Sequence, residues 1–171
     1  NFHVKSKGII KFFFPIENNY SIILGQKNDI IFFKKNTTQP RLNNYLESEI
    51  RNNKIFYKNT DFEILDNYYN IFSLLYLLMQ NENGIPNDFI LEREGQLYNG
   101  KIIQGENRKY LLLDINSNIN SSLNKVIENT DIFTWGIYMK NAKRMIILNK
   151  ENHWIEKCYF SKGIITISAI L

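Results

Sequence analysis

Three pairs of apolar and aromatic runs in this chain are separated by only two or three turn-forming residues, and strands joined that tightly can only run antiparallel. The clearest run is the C-terminal GIITISAIL, where Ile165, Ile167, Ala169 and Leu171 share one face and Thr166 and Ser168 the other, the alternation of a half-buried strand. Ser161-Lys162-Gly163 supplies a turn before it, and residues 153–160 supply the partner strand. Asn99-Gly100 between QLY and KII is the dipeptide that best tolerates the positive φ angles of a two-residue turn. Asn52-Asn53 between YLESEIR and KIFYK is a weaker version of the same chemistry. The predicted fold class is therefore mainly β, an antiparallel curved sheet forming a half-barrel or barrel. With 171 residues, 44% hydrophobic and 14% aromatic, no internal repeat and no Pro/Gly/Ser linker, one domain is expected over residues 1–171.

One segment breaks the strand pattern. Residues 68–79 read YYNIFSLLYLLM, and Ile71, Leu74, Leu75 and Leu78 recur at helical spacing, with Phe72, Tyr76 and Met79 widening the apolar face. Twelve helical residues span only about 18 Å, whereas a bilayer core needs about 20 apolar residues, so no transmembrane span is expected. Asn81, Asn83 and Gly84 offer a stop and Pro86 prevents continuation. The spacing predicts one short buried helix near residues 69–80, with Leu74 and Leu75 in its core contact. Two further runs, Ile9-Ile10-Lys11-Phe12-Phe13-Phe14 and Ile30-Ile31-Phe32-Phe33, would be apolar on both faces as strands. The most polar stretch, residues 114–125, reads as a long surface loop.

Lys and Arg total 21 against 17 for Asp and Glu, a net charge of +4 that favours weak attraction to anionic surfaces. The basic residues are scattered, with pairs such as Lys34-Lys35 and Lys143-Arg144, and lack the clustered stripe that reads phosphate backbones. A nucleic-acid partner is not expected. The one cysteine, Cys158, excludes an internal disulfide. Cys158 and His153 are five residues apart, which on one strand places them on opposite faces, and His3 stands far away in sequence. No zinc-ligand spacing emerges, and neither a metal nor a cofactor is expected. Acid pairs at Glu47/Glu49, Asp61/Glu63 and Glu92/Glu94 each share a strand face, the pattern of a solvent-facing row as well as of an acid/base pair. Phosphate loops and nucleophile elbows are missing from the sequence, and no catalytic residue is expected.

Strands ending in EIRNNKIFYKNTDFEI, then NIFSLLYLLM, a hairpin region, FTWGIYMKNAKRMIILN and finally IEKCYFSKGIITISAIL make up the order of the chain. This order resembles the exported bacterial domain-of-unknown-function family numbered 3108. Members show a short Ser-containing apolar helix in mid-chain, a Trp-containing strand, a basic residue before an apolar strand, and a terminal Gly-led strand closing on Leu. The matching positions are Ser73, Trp135, Arg144, Gly163 and Leu171. Where members often carry an Asp before the helix Ser, an Arg after the helix, a Ser-Asp after the Trp and a Pro after the basic residue, this chain has Ile71, Gln80, Gly136-Ile137 and Met145-Ile146. The resemblance implies an antiparallel β-rich domain of the periplasm or cell envelope, and no activity. The chain opens on Asn1, so a processed or truncated form whose export signal lay upstream is the expectation.

Three function classes follow. The leading one is a non-catalytic envelope protein whose sheet or barrel holds an apolar ligand or docks another envelope component. The alternative is a structural or protein-interaction module with no small-molecule ligand. A hydrolase with an acidic site not recognisable in the sequence is the third.

Overall fold

The computed structural model describes all residues other than 27–28, 59, 64–67, 81–85, 107–108, 114, 116–125, 128, 150, 164 and 171. The expected mainly β, antiparallel class is what the described residues form, arranged as two open sheets; neither closes into a barrel among them. They group into two compact units, one of Asn1–Leu65 with Val126–Asp131, the other of Asp66–Lys125 with Ile132–Leu171.

The first unit is an antiparallel meander of six strands in chain order: β1 (Phe2–Lys5), β2 (Glu17–Leu24), β3 (Ile30–Gln39), β4 (Leu42–Arg51), β5 (Lys54–Tyr57) and β6 (Thr60–Glu63). Its turns carry their sequence signatures. Asn52 and Asn53 take φ of 50° and 58° between β4 and β5, the two positive angles of the expected tight hairpin. Pro40 precedes Arg41, at φ 63°, in the two-residue link from β3 to β4. One face is buried: Tyr20, Lys35 and Leu46 are register partners across β2, β3 and β4, and Phe33, Ser48 and Tyr57 across β3, β4 and β5. The opposite face of β4 presents Tyr45, Glu47 and Glu49 to solvent.

The link from β1 to β2 departs from expectation. Ile9 to Phe14 were expected as a strand apolar on both faces; instead Gly8–Phe13 form a short helix, α1, and Phe14 follows it. A run of this kind has no alternation to enforce a strand, and Ile9, Phe12 and Phe13 fit the i, i+3, i+4 spacing of a helical face equally well. Pro15 stands just beyond the helix end.

The second unit is a seven-stranded sheet with the order β13-β12-β11-β10-β9-β8-β7. These strands are β7 (Tyr68–Asn70), β8 (Asp88–Arg93), β9 (Gln96–Gln104), β10 (Lys109–Leu113), β11 (Lys143–Leu148), β12 (Ile155–Lys162) and β13 (Ile165–Ile170). All neighbours are antiparallel except β7 and β8. That exception follows from the expected helix, α2 (Ile71–Gln80), because a helical crossover returns the chain parallel to the strand it left. Ile71, Phe72, Leu74, Leu75 and Leu78 are buried, as the spacing predicted. The helix begins two residues later than expected, since Tyr68–Asn70 is strand. The proposed stop at Asn81, Asn83 and Gly84 lies outside the described residues, as does the loop over 114–125 apart from Ile115, which is buried.

Two local readings are corrected here. Asn99-Gly100 is not a turn but the middle of β9, and the hairpin from β8 turns instead at Glu94 and Gly95, with φ of 54° and 87°. Gly100 serves space and not φ: it pairs with Phe89, whose Cε2 would lie 2.2 Å from any Cβ placed there. The Trp-containing segment is a helix, α3 (Ile132–Tyr138), and not a strand. Phe133, Thr134, Gly136, Ile137 and Tyr138 are buried in it, and Phe133 meets both Phe72 of α2 and Phe160 of β12 at ring distances of 6.1 and 5.7 Å. At the C-terminus β12 and β13 form the expected hairpin, but Ser161 and Lys162 extend β12 instead of turning, and the link begins at Gly163, φ 57°. Thr166 and Ser168 are exposed, on the face assigned to them, while Leu171 lies outside the described residues.

Candidate functional site

Four of the five positions nominated by the family resemblance lie among the described residues and serve different elements. Ser73 belongs to a reciprocal cap at the start of α2: its N–H donates to Asn70 Oδ1 at 2.8 Å, and the Asn70 N–H donates to Ser73 Oγ at 3.1 Å. Two amides that would otherwise lack a partner at the helix start are satisfied in this way. Arg144 of β11 is buried and turns its guanidinium onto carbonyls in the last turn of α3 and just beyond it, donating from Nη1 to Ala142 O at 2.8 Å, from Nη2 to Met139 O at 2.7 Å, and from Nε to Ile137 O. Burial lowers its pKa, and cationic donors suit the negative end of a helix. Trp135 stands partly exposed on α3. Gly163, at its positive φ, has no atom within 4 Å of a Cβ position. Local structure accounts for Ser73, Arg144 and Gly163.

The chemically suggestive side chains are placed as follows. Cys158 is fully buried on β12, and its thiol is pushed up to about 12 by that burial. His153 is not on the strand at all; it sits at φ 63° in the turn before β12. The opposite-faces argument therefore does not apply to the pair. His3 approaches Glu17 at 3.8 Å on an exposed hairpin. Among the described residues no group of three His, Cys, Asp or Glu is arranged to hold a metal ion.

Of the three acid pairs, Glu47/Glu49 and Asp61/Glu63 are the solvent-facing rows that strand alternation predicts, with Lys34, Arg51 and Lys54 beside them. Glu92/Glu94 is different: both are buried, and Glu94 has left the strand for the turn. The Glu92 carboxylate accepts from the Gly95 N–H at 2.7 Å and from the Tyr68 hydroxyl at 3.4 Å, while Tyr138 donates to the Glu92 carbonyl at 3.2 Å. The Arg93 guanidinium lies over the rings of Tyr98 and Tyr138, about 5.1 and 5.0 Å from their centroids, and donates to Gln96. Burial first, and then the charge of Glu92, hold both Tyr68 and Tyr138 well above the usual phenol range. Two neutral phenols and a carboxylate engaged by the turn make a stabilising cluster.

Sequence reasoning missed the polar centre of the first unit. Lys35 and Asp131 are both fully buried and form an ion pair of 2.6 Å. Asp131 Oδ1 also accepts from the Tyr20 hydroxyl at 2.7 Å and from Asn18 Nδ2 at 3.4 Å, and Asn18 in turn accepts from Gln39. Lys35 reaches Thr130 Oγ1 at 3.3 Å, and Asn44 donates to the Asn129 carbonyl. The network fastens Asn129, Thr130 and Asp131 to the sheet built from residues 2–63. The Lys35–Asp131 pair at its centre is closed to solvent, and its two charges neutralise each other.

The exposed feature of the first unit is the tip of the β1/β2 hairpin. Below the tip, Ser6 N–H donates to the Ile16 carbonyl at 3.2 Å and Ile16 N–H to Ser6 Oγ at 3.0 Å. Above that clamp lie residues 7–15, carrying α1, and Ile9, Phe12 and Phe13 are 77%, 83% and 75% exposed. Phe12 and Phe13 meet each other edge to face at 5.3 Å. Three large apolar side chains at the spacing of one helical face, left in water at a cost of about 1.5–3 kcal/mol each relative to burial, make an exposed apolar surface of the kind that marks a contact. Among the described residues no helix is long and apolar enough to cross a membrane.

No family model matches the chain, and comparison with curated proteins and with solved structures gives no match.

Proposed function

We propose that this protein is a non-catalytic binding module of the bacterial cell envelope that makes contact through the hairpin tip at residues 7–15. The observation that carries this reading is the exposure of Ile9, Phe12 and Phe13 together on α1. An apolar ligand held inside a sheet would call for such side chains to line an interior; on a projecting tip they suit an external envelope component. The envelope location rests on the family resemblance. Against the hydrolase alternative stands the state of Glu92, the buried acid such a site would use: its oxygens already accept from Gly95 and Tyr68. The buried Cys158 thiol, pushed up to about 12, is likewise poorly suited to nucleophilic work.

The test is fractionation of bacterial cells producing the chain with an export signal. Wild type should accompany the envelope fraction, and Phe12→Ser with Phe13→Ser should release it to the soluble fraction without lowering its thermal unfolding temperature. Retention of the variant with the envelope would refute the reading.

A further inference from the structure

The tip is basic as well as apolar. Residues 1–16 contain Lys5, Lys7 and Lys11 and no Asp or Glu, and all three lysines are exposed. Lys5 lies in the hairpin stem, in register with Glu17, which offsets it. Lys7 and Lys11 belong to the tip itself, and among the described residues neither has an ion-pair partner. Lys11 falls on the side of α1 opposite Ile9, Phe12 and Phe13, while Lys7 immediately precedes the helix. The tip is thus a short amphipathic turn, aromatic on one side and cationic on the other, raised above a clamped stem.

We propose that this tip inserts shallowly into an anionic lipid bilayer, with Ile9, Phe12 and Phe13 entering the boundary between headgroups and acyl chains and Lys7 and Lys11 meeting the lipid phosphates. The assignment rests on the reading of the tip as the contact surface and names its partner. Interfacial helices divide cationic residues from Trp, Phe and Leu in this way. Lysine stems lie along the apolar layer while their ammonium groups stay at the phosphates. A bilayer accepts a small convex protrusion without a matching groove. A stable protein interface needs about 1,200 Å² or more of buried surface, for which a nine-residue tip is slight. A six-residue helix is marginal in water, and apolar contact along the Ile9–Phe13 side would stabilise it.

The experiment is co-sedimentation of the full chain with vesicles of phosphatidylcholine alone and of equal parts phosphatidylcholine and phosphatidylglycerol. Binding should be at least about tenfold stronger to the anionic vesicles and should weaken as salt is raised. Lys7→Gln with Lys11→Gln should weaken anionic binding roughly 25-fold, about fivefold for each charge removed near the surface. Phe12→Ser with Phe13→Ser should weaken it on the order of 100-fold while thermal unfolding is unchanged, since both side chains are exposed. Equal binding to both vesicles, or undiminished binding by the Phe12/Phe13 variant, would overturn the proposal. If the anionic vesicles bind nothing while the same variant is released from the cell envelope, the lipid assignment fails and the tip docks an envelope protein instead. If that variant stays with the envelope, the tip is not the contact surface at all.

Discussion

Replacing Asp131 by Ala should remove a large share of the stability of the first unit. The substitution leaves the Lys35 ammonium buried without its 2.6 Å partner, and the Tyr20 hydroxyl without its acceptor at 2.7 Å. Breaking one side of a buried ion pair costs about 3–5 kcal/mol, and the lost hydrogen bond adds about 1 kcal/mol. Against a total of about 5–15 kcal/mol for a domain, that is enough to populate the unfolded chain under mild conditions. The pair need not be net stabilising relative to an apolar replacement, so Lys35→Met with Asp131→Leu should recover much of the loss. Guanidinium unfolding, followed in parallel by far-UV circular dichroism and by tryptophan emission, is the assay. Trp135 and Trp154 both lie in the second unit, whereas Asp131 lies in the first. If residues 1–171 unfold as the one domain expected from length and composition, the two signals coincide and shift together in Asp131→Ala. If the units unfold separately, the tryptophan signal stays where it was. A loss below about 1 kcal/mol, the worth of a surface pair, or a double variant no better than the single one, would refute the reasoning.

Three further outcomes follow from the buried groups. Leu74→Ala or Leu75→Ala should each cost about 2–5 kcal/mol by cavity formation, and a loss below about 1 kcal/mol at both in denaturant titration would contradict the packing of α2. Cys158→Ser with His153→Gln should leave envelope association intact, with any harm confined to stability; stoichiometric zinc in the wild type that is lost in a folded double variant would disprove this. In alkali, the folded state holds the Cys158 thiol up to about 12, against 9.0, and keeps the Tyr68 and Tyr138 phenols above their usual range. The unfolded chain releases these protons first, so stability is fully present below about pH 9 and falls as pH rises beyond it; a melting temperature flat across that window would be inconsistent with their burial.

Residues 71–80 were legible because Ile71, Leu74, Leu75 and Leu78 state a helical period no strand shares, and Asn52-Asn53 because two successive positive φ angles suit few other residues. Asn99-Gly100 misled because glycine is used both for backbone freedom and for room, and here the ring of Phe89 needs the room. Residues 9–14 offered no alternation, so helix and strand fitted alike, and nothing local tells whether such a run will be covered. Glu92 and Glu94 have the spacing of the exposed pairs, and only the turn at Glu94-Gly95 distinguishes them. The Lys35–Asp131 pair joins positions far apart in the chain, so no local pattern announces it. Ser73 and Arg144 were noticed through resemblance; the signals that explain them were in the sequence, Asn70 three residues before Ser73 as a cap and a basic residue after the α3 segment to meet its carbonyls.

If the tip at residues 7–15 is the surface that meets the envelope, a tryptophan placed there reads the contact directly. With Trp135 and Trp154 replaced by Phe, Phe12→Trp should emit as a water-exposed indole in buffer, as the exposure of Phe12 requires. On addition of membranes prepared from a bacterial envelope, the emission should shift to the blue and become shielded from an aqueous quencher. Emission that stays red and quenchable while the protein sediments with those membranes would place the contact elsewhere and contradict the account.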